Sequence, residues 1–351
     1  MGRNGESGLR KRAMITPGTA ARHLEPWRRE LAAAVTDPAE LLELLRLDPG
    51  LLPGARAAAA RFGLKVPRSF IARMRPGDPH DPLLRQVLPL GAETLEAPGY
   101  GADPVGDLAA VRAPGVLAKY RGRALLMTTG GCAVNCRYCF RREFPYHSGA
   151  LTPARLAAAV AELAALPGLE EVILSGGDPL ALPTARLARI TAALAPLPGL
   201  RRLRVHTRTP VVLPARVDEL LVGWLRGLPW PVAMVVHVNH PQEVSTELRA
   251  ALATLAGAGA RLLNQAVLLR GVNDDAEVLA ELSTALFDAG VLPYYLHLLD
   301  RARGTAHFEV PQTAALAIHE ELAARLPGYL VPRLVREVEG APAKMPVTGL
   351  G

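Results

Sequence analysis

Six short β-type runs alternate with longer helical stretches from about residue 124 onward, and that alternation restricts the possible folds more than any other feature. The strand candidates are residues 124–129, 171–177, 202–208, 233–239, 261–269 and 293–299. Helical patterning occupies the stretches near 152–166, 184–195, 214–228, 242–257, 274–289 and 311–326. Parallel strands need a crossover between them, usually a helix, and such crossovers are right-handed. The chain is therefore of the α/β class, with a parallel sheet. It is expected either to curve into a partial (β/α)6 barrel of the TIM type or to stay open and doubly wound. The last run, REVEGAPAKMPVTGLG, is too rich in Gly and Pro for a further unit and is expected to lie across the barrel mouth.

The rest of the chain divides around this repeat. Residues 1–22 read as a flexible tail and 23–118 as helices broken by Pro and Gly. The barrel is expected over 119–328 and a C-terminal segment over 329–351. In the helical part, Thr36 and Asp37 are cap candidates ahead of Pro38.

Polar residues gather where the proposed strands end. Asp178 follows the second strand; His206 and Arg208 end the third, and His237 and Asn239 the fourth. Asn273 and Asp274 follow the fifth, and Asp300 follows the sixth. Parallel α/β folds bind ligands at that edge, so these ends are expected to share one site.

The loop after the first strand is the most specific feature. All three cysteines of the chain, Cys132, Cys136 and Cys139, lie in it as C-x3-C-x2-C. Thiolates suit iron–sulfur clusters and zinc, and three ligands leave one metal position open for chemistry. An odd number of clustered thiols argues against a disulfide framework and for a reducing compartment, the cytoplasm.

Lysine usage points to a second reactive group. Of 40 basic residues only Lys11, Lys65, Lys119 and Lys344 are lysine; the rest are arginine. A lysine retained in such a chain is a candidate for amine chemistry that a guanidinium cannot perform.

The motifs KYRGRALLMTTGGCAVNCRYCFRR, SGGDPL, HTRTPVVLPAR, HVNHPQE, NQAVLLRGVND and PYYLHLLD together resemble the lysine 2,3-aminomutase family of radical S-adenosylmethionine (SAM) enzymes. LKVPRSFIARM, DPLLRQVLP, HFEV and GYLVPRLVRE resemble its short bacterial subgroup, which supplies (R)-β-lysine for modification of elongation factor P.

The resemblance implies a radical SAM partial barrel with three cofactors: a [4Fe–4S] cluster, SAM and pyridoxal 5′-phosphate (PLP). Cys132, Cys136 and Cys139 match the cluster ligands, and Lys344 matches the catalytic lysine that carries PLP. Tyr120 and Arg123 match PLP contacts, with Arg123 on the phosphate. Ser175, Gly176, Gly177 and Asp178 match the motif at the SAM amino group, and His237 and Gln265 match further SAM positions. Arg141 matches the anchor of the substrate carboxylate, while Asp300 and Glu337 match the acids that receive the distal ammonium. Glu337 departs from the family's usual Asp, and one added methylene shifts the anchored amine by about an ångström.

L-Lysine is then the substrate and an electron donor of the flavodoxin or ferredoxin type a partner. A functional link to elongation factor P and its lysyl-transferring enzyme follows from the subgroup, and a homo-oligomer is compatible with the family. A glutamate 2,3-aminomutase shares the cofactors, but Asp300 and Glu337 would repel a side-chain carboxylate. A lysine aminomutase of another pathway and an iron–sulfur accessory protein without catalysis are the other readings. The net charge of +7 is dispersed, with no recognition-helix or RNP-type pattern, so nucleic acid is not expected as a partner. No apolar run reaches the roughly 18 residues of a membrane span, so no membrane association is expected either.

Overall fold

The computed structural model describes residues 25–146 and 151–349, so the expected tail over residues 1–22 lies outside the described part. Ten strands form one sheet in chain order, with β1 and β10 as its two edges. They are β1 Val111–Ala113, β2 Val116–Tyr120, β3 Arg123–Thr129, β4 Glu171–Gly176, β5 Arg202–Thr207, β6 Val232–Val236, β7 Ala260–Val267, β8 Leu292–His297, β9 Arg333–Arg336 and β10 Met345–Pro346. Strands β3 to β9 pair in parallel. The first three strands are antiparallel to one another, and β10 turns back antiparallel onto β9.

Residues from β2 through β8 line the same cavity, which requires the sheet to curve around it. The partial barrel is thus the architecture, and the doubly wound sheet is not. The period of β5 shows how local sequence builds the wall. Leu203 and Val205 turn outward into the helix-covered core, while Arg204 and His206 turn inward to the cavity.

Helices cover the outside, and their starts follow local chemistry. Thr152, Asp218, Ser245 and Asp275 each accept a hydrogen bond from a backbone N–H in the first turn of the helix they precede. The inward stripes of these helices, including Leu163, Leu187, Leu252 and Leu282, are buried against the strands. Full burial of each such side chain is worth about 1.5–3 kcal/mol.

Two expectations need refinement. The C-terminal segment over 329–351 also extends the sheet: Arg333–Arg336, ending where the Gly- and Pro-rich run begins, adds a seventh parallel strand beside β8, and Met345–Pro346 of the run turns back onto it. A four-residue strand leaves too short a pattern to read, and its order comes from the open edge of β8. The stretch before residue 119 is also not wholly helical, because β1 and β2 form a hairpin that extends the sheet beyond β3.

Upstream, short helices at Pro26–Ala32, Pro38–Leu44, Leu52–Arg61, Arg68–Ile71 and Pro82–Arg85 pack around their own apolar cluster. Asp37 caps the second of these, its carboxylate accepting from Ala39 N at 2.9 Å. Trp27, Phe70, Leu83 and Leu84 form the centre, and Ala133 and Val134 of the cysteine loop pack into it. Glu93, itself buried, accepts from Arg137 at 2.9 and 2.5 Å and from Arg142 at 2.7 Å. Arg137 lies between the last two cysteines and Arg142 three residues past them, so the helical part clamps the loop that carries them.

Candidate active site

A cavity of about 370 Å³ opens at the C-terminal edge of the parallel strands. Every cofactor and substrate position singled out from the sequence lines it: the three cysteines, Tyr120, Arg123, Arg141, Ser175 through Asp178, His237, Gln265, Asp300, Glu337 and Lys344. The polar strand ends do not all arrive there. Asn239 and Asn273 are buried outside the cavity, where Asn273 Nδ2 donates to the Asn239 carbonyl at 2.9 Å. Asp274 accepts from Gly271 N at 2.7 Å and organises its own turn. These three residues are structural.

The cysteine loop and the SGGD turn are built as one unit. Gly177 N donates to Thr129 O at 2.7 Å, and Asp178 N donates to Gly131 O at 2.9 Å. A Cβ on Gly177 would stand 2.3 Å from Gly131 O. Gly176 holds φ at +114°, with Thr129 O 2.6 Å from its own Cβ position. Close approach of two backbones therefore requires both glycines. Asp178 is likewise engaged within the protein. Its carboxylate accepts from Leu180 N at 2.9 Å, Thr207 Oγ1 at 2.7 Å, Arg208 N at 2.7 Å and Thr209 N at 2.8 Å.

The thiols are held under cover, and burial pushes Cys139 up to about 11 and Cys132 well above its ordinary value. Such thiols become good ligands when a cation stabilises their ionised form, so the donor set fits an iron–sulfur cluster. Among the described residues no three His, Cys, Asp or Glu side chains converge on a single-ion position. A four-iron cube takes one sulfur per iron, so its three sulfurs need not meet at a point.

Unpartnered polar atoms give the fit for the organic groups. The Nε2 atoms of His206, His237, Gln265 and His297 are buried without a hydrogen-bond partner, and all four residues line the cavity. Buried polar groups are ordinarily satisfied, so these four mark positions where a bound molecule supplies the partner. Burial, reinforced by the Arg208 charge, lowers His237 to about 3. It also drives His206 and His297 well below the usual histidine range, so all three rings are neutral.

Around Lys344 the charges are paired. Its Nζ donates to Glu337 Oε2 at 2.8 Å, and the Tyr120 hydroxyl donates to Glu337 Oε1. Burial opposes ionisation of Glu337, but the Lys344 charge and these two hydrogen bonds outweigh it and hold the carboxyl below its ordinary value. Arg123 stacks on the Tyr120 ring with its guanidinium carbon 4.6 Å from the centroid. Asp300 differs: burial raises it to about 7, with Lys344 pulling the other way.

Asp107 is a cavity residue that the sequence analysis does not identify, and Lys119 enters it only as one of four lysines, with no place at the site. Buried Asp107 accepts from Arg141 Nε at 2.6 Å and pairs with Lys119 Nζ at 2.7 Å. Burial opposes its charge, yet Arg141 and Lys119 keep it ionised and below its ordinary value. Holding Arg141 by Nε leaves the guanidinium's terminal nitrogens free of Asp107, one of them 3.4 Å from Ser175 Oγ. Lysine scarcity is the signal that reaches Lys119 as well as Lys344. Lys65 also belongs to this region, donating to the Cys132 carbonyl at 3.0 Å.

Sequence comparison matches this architecture. Residues 126–282 fit the family model of the Radical SAM superfamily, which spans the cysteine loop and the strands facing it. The protein is a radical SAM enzyme.

Three relatives narrow the class. The chain is 49% identical over 336 residues to L-lysine 2,3-aminomutase of Escherichia coli (strain K12), covering 95% of this chain and 97% of that one. It is 43% identical to the enzyme of that name from Haemophilus influenzae, covering 92% of this chain and 96% of that one. It is 40% identical to that of Buchnera aphidicola, with coverages of 95% and 98%. The chain belongs to the L-lysine 2,3-aminomutase family. It is an isomerase whose cofactors are a [4Fe–4S] cluster, SAM and PLP.

Proposed function

We propose that the protein moves the α-amino group of L-lysine to Cβ, that the product is (R)-β-lysine, and that it serves modification of elongation factor P in the cytoplasm. One observation carries the lysine reading: a single cavity holds the three cysteines, Lys344, the cation Arg141 and the acids Asp300 and Glu337. A zwitterion with a carboxylate at one end and an ammonium at the other meets opposite charges in such a cavity. The (R) product rests on the likeness of LKVPRSFIARM, DPLLRQVLP, HFEV and GYLVPRLVRE to the short bacterial subgroup. The family names of the relatives support the lysine substrate and are neutral on the product's destination.

In this reading Cys132, Cys136 and Cys139 hold the cluster, and the SGGD turn, His237 and Gln265 hold SAM. Arg123, Tyr120 and Lys344 hold PLP. When bound, these groups supply a 5′-deoxyadenosyl radical for hydrogen abstraction and a conjugated ring that stabilises the rearranging radical.

The chain itself binds and orients. Arg141 offers its terminal N–H groups to the substrate carboxylate, and Asp107 fixes the plane of the fork. Asp300 and Glu337 take the distal ammonium. Glu337 accepts the hydrogen bond of Lys344 Nζ at 2.8 Å and so orients that amine within the cavity.

An anaerobic assay tests the function. Reconstituted protein is given PLP, SAM, dithionite and L-lysine, with chiral detection of β-lysine. The expected product is (R)-β-lysine from wild type and none from Lys344→Ala, which retains some SAM cleavage. SAM cleavage without β-lysine in wild type overturns the lysine assignment, and full activity of Lys344→Ala overturns the role of Lys344.

A further inference from the structure

Arg208 is the most heavily engaged charge beside the cysteine loop, and the reading above gives it no task. Its backbone N–H is fixed by Asp178 at 2.7 Å at the end of β5. Its guanidinium is buried and donates to Cys136 Sγ at 2.8 Å. The same nitrogen also reaches the Tyr138 hydroxyl. The other terminal nitrogen donates to Gln86 Oε1 at 2.6 Å and to Glu243 Oε2 at 3.1 Å. Nε is buried with no partner among the described residues, and Arg208 lines the cavity.

This is an expensive arrangement if the aim is only to join two parts of the fold. A buried guanidinium usually meets its carboxylate in a two-pronged pair. Here one prong goes to the carboxylate and the other to a sulfur. Gln86, from the N-terminal helical part, and Glu243, from the segment after β6, hold the guanidinium on that sulfur from two sides. Gln86 Nε2 in turn donates to Glu243 Oε1 at 3.1 Å, and Asn239 Nδ2 donates to Gln86 Oε1 at 2.9 Å. The pair is therefore braced against rotation.

We propose that Arg208 is a positioning residue that raises the reduction potential of the iron–sulfur cluster through its charged hydrogen bond to the Cys136 sulfur. The proposal rests on the assignment of the three cysteines as cluster ligands. Reduction takes one electron from a low-potential donor into a [4Fe–4S]2+ cluster and leaves it at 1+. No bond forms or breaks, and the cluster with its thiolates becomes more negative by one unit. A fixed cation on a ligand sulfur, shielded from water, stabilises that added charge, and hydrogen bonds to cluster sulfurs act in the same sense. Glu243, 3.1 Å from the guanidinium, offsets part of the effect.

The two charges predict shifts of opposite sign. Redox titration of the reconstituted protein, followed by electron paramagnetic resonance with dithionite as reductant and without SAM, PLP or lysine, reads the cluster alone. Arg208→Gln is expected to disfavour the reduced form about tenfold, a midpoint more negative by about 59 mV, with iron and sulfide content unchanged. Arg208→Lys keeps the cation and is expected to recover part of the shift. Glu243→Gln is expected to move the midpoint positive. If Arg208→Gln fails to hold a cluster, the sign of the Glu243→Gln shift and the position of Arg208→Lys decide. Variant midpoints equal to wild type overturn the proposal and leave the cysteine assignment standing. A wild-type chain that binds no cluster overturns both.

Discussion

Asp300 shows how burial assigns a residue its working range. It is raised from 3.8 to about 7, so between those values the folded chain keeps a proton that the unfolded chain has released. Stability of the ligand-free protein therefore declines as pH rises through that window. A substrate ammonium favours the ionised carboxylate and reverses the penalty. The KM for lysine is accordingly expected to fall as pH rises from 6 to 8, with the change centred near 7. Asp300→Asn should flatten that profile and raise KM by about tenfold or more, since it removes one partner of a desolvated charge pair. Initial rates across that pH range check this, and a wild-type KM independent of pH rules it out. Glu337 has no such profile, because Lys344 and Tyr120 keep it ionised.

The cysteine loop and the SGGD turn act as one element, although 39 residues separate Cys139 from Asp178 in sequence. Their common backbone contact makes Gly177 the sensitive point. Gly177→Ala puts a methyl 2.3 Å from a backbone oxygen that cannot rotate away. The expected cost is about 3 kcal/mol or more, with a matching loss of bound iron. Gly131→Ala is the control, because its Cβ meets nothing closer than Thr129 Oγ1 at 3.6 Å. Thermal unfolding and iron analysis of the two variants separate them; equal behaviour would show that the close approach has no energetic weight.

Across the whole molecule, the N-terminal helices and the barrel are joined at the cysteine loop. Glu93 is buried together with Arg137, and its carboxylate also meets Arg142 at 2.7 Å. Glu93→Gln leaves a buried guanidinium without its counter-charge, a loss of about 3–5 kcal/mol. Urea unfolding measures it, and iron content is expected to fall alongside, because the strained side is the loop that holds the thiols. A loss below about 1 kcal/mol would show that the clamp is solvated in solution. No helix among the described residues is long and apolar enough to cross a membrane.

Much of this was legible beforehand. Hydrophobic periodicity found the six consecutive barrel strands, β3 to β8, because each is a local pattern bounded by turns. It missed β1, β2, β9 and β10, which are short and gain their order from a neighbouring strand edge. Spacing located Cys132, Cys136 and Cys139, and scarcity singled out Lys344, because both signals are written in the chain itself.

Asp107 and Glu93 carried no such signal, and Arg208 was legible only as a polar strand end, without its partners. Each is an ordinary charged residue whose partners lie 34, 44 and 72 positions away, at Arg141, Arg137 and Cys136. The sequence by itself determined which chemical groups are present and the wall that holds them. Only the tertiary structure decided which charges meet, because a buried charge acquires its role from desolvation and from neighbours that folding alone brings within 3 Å.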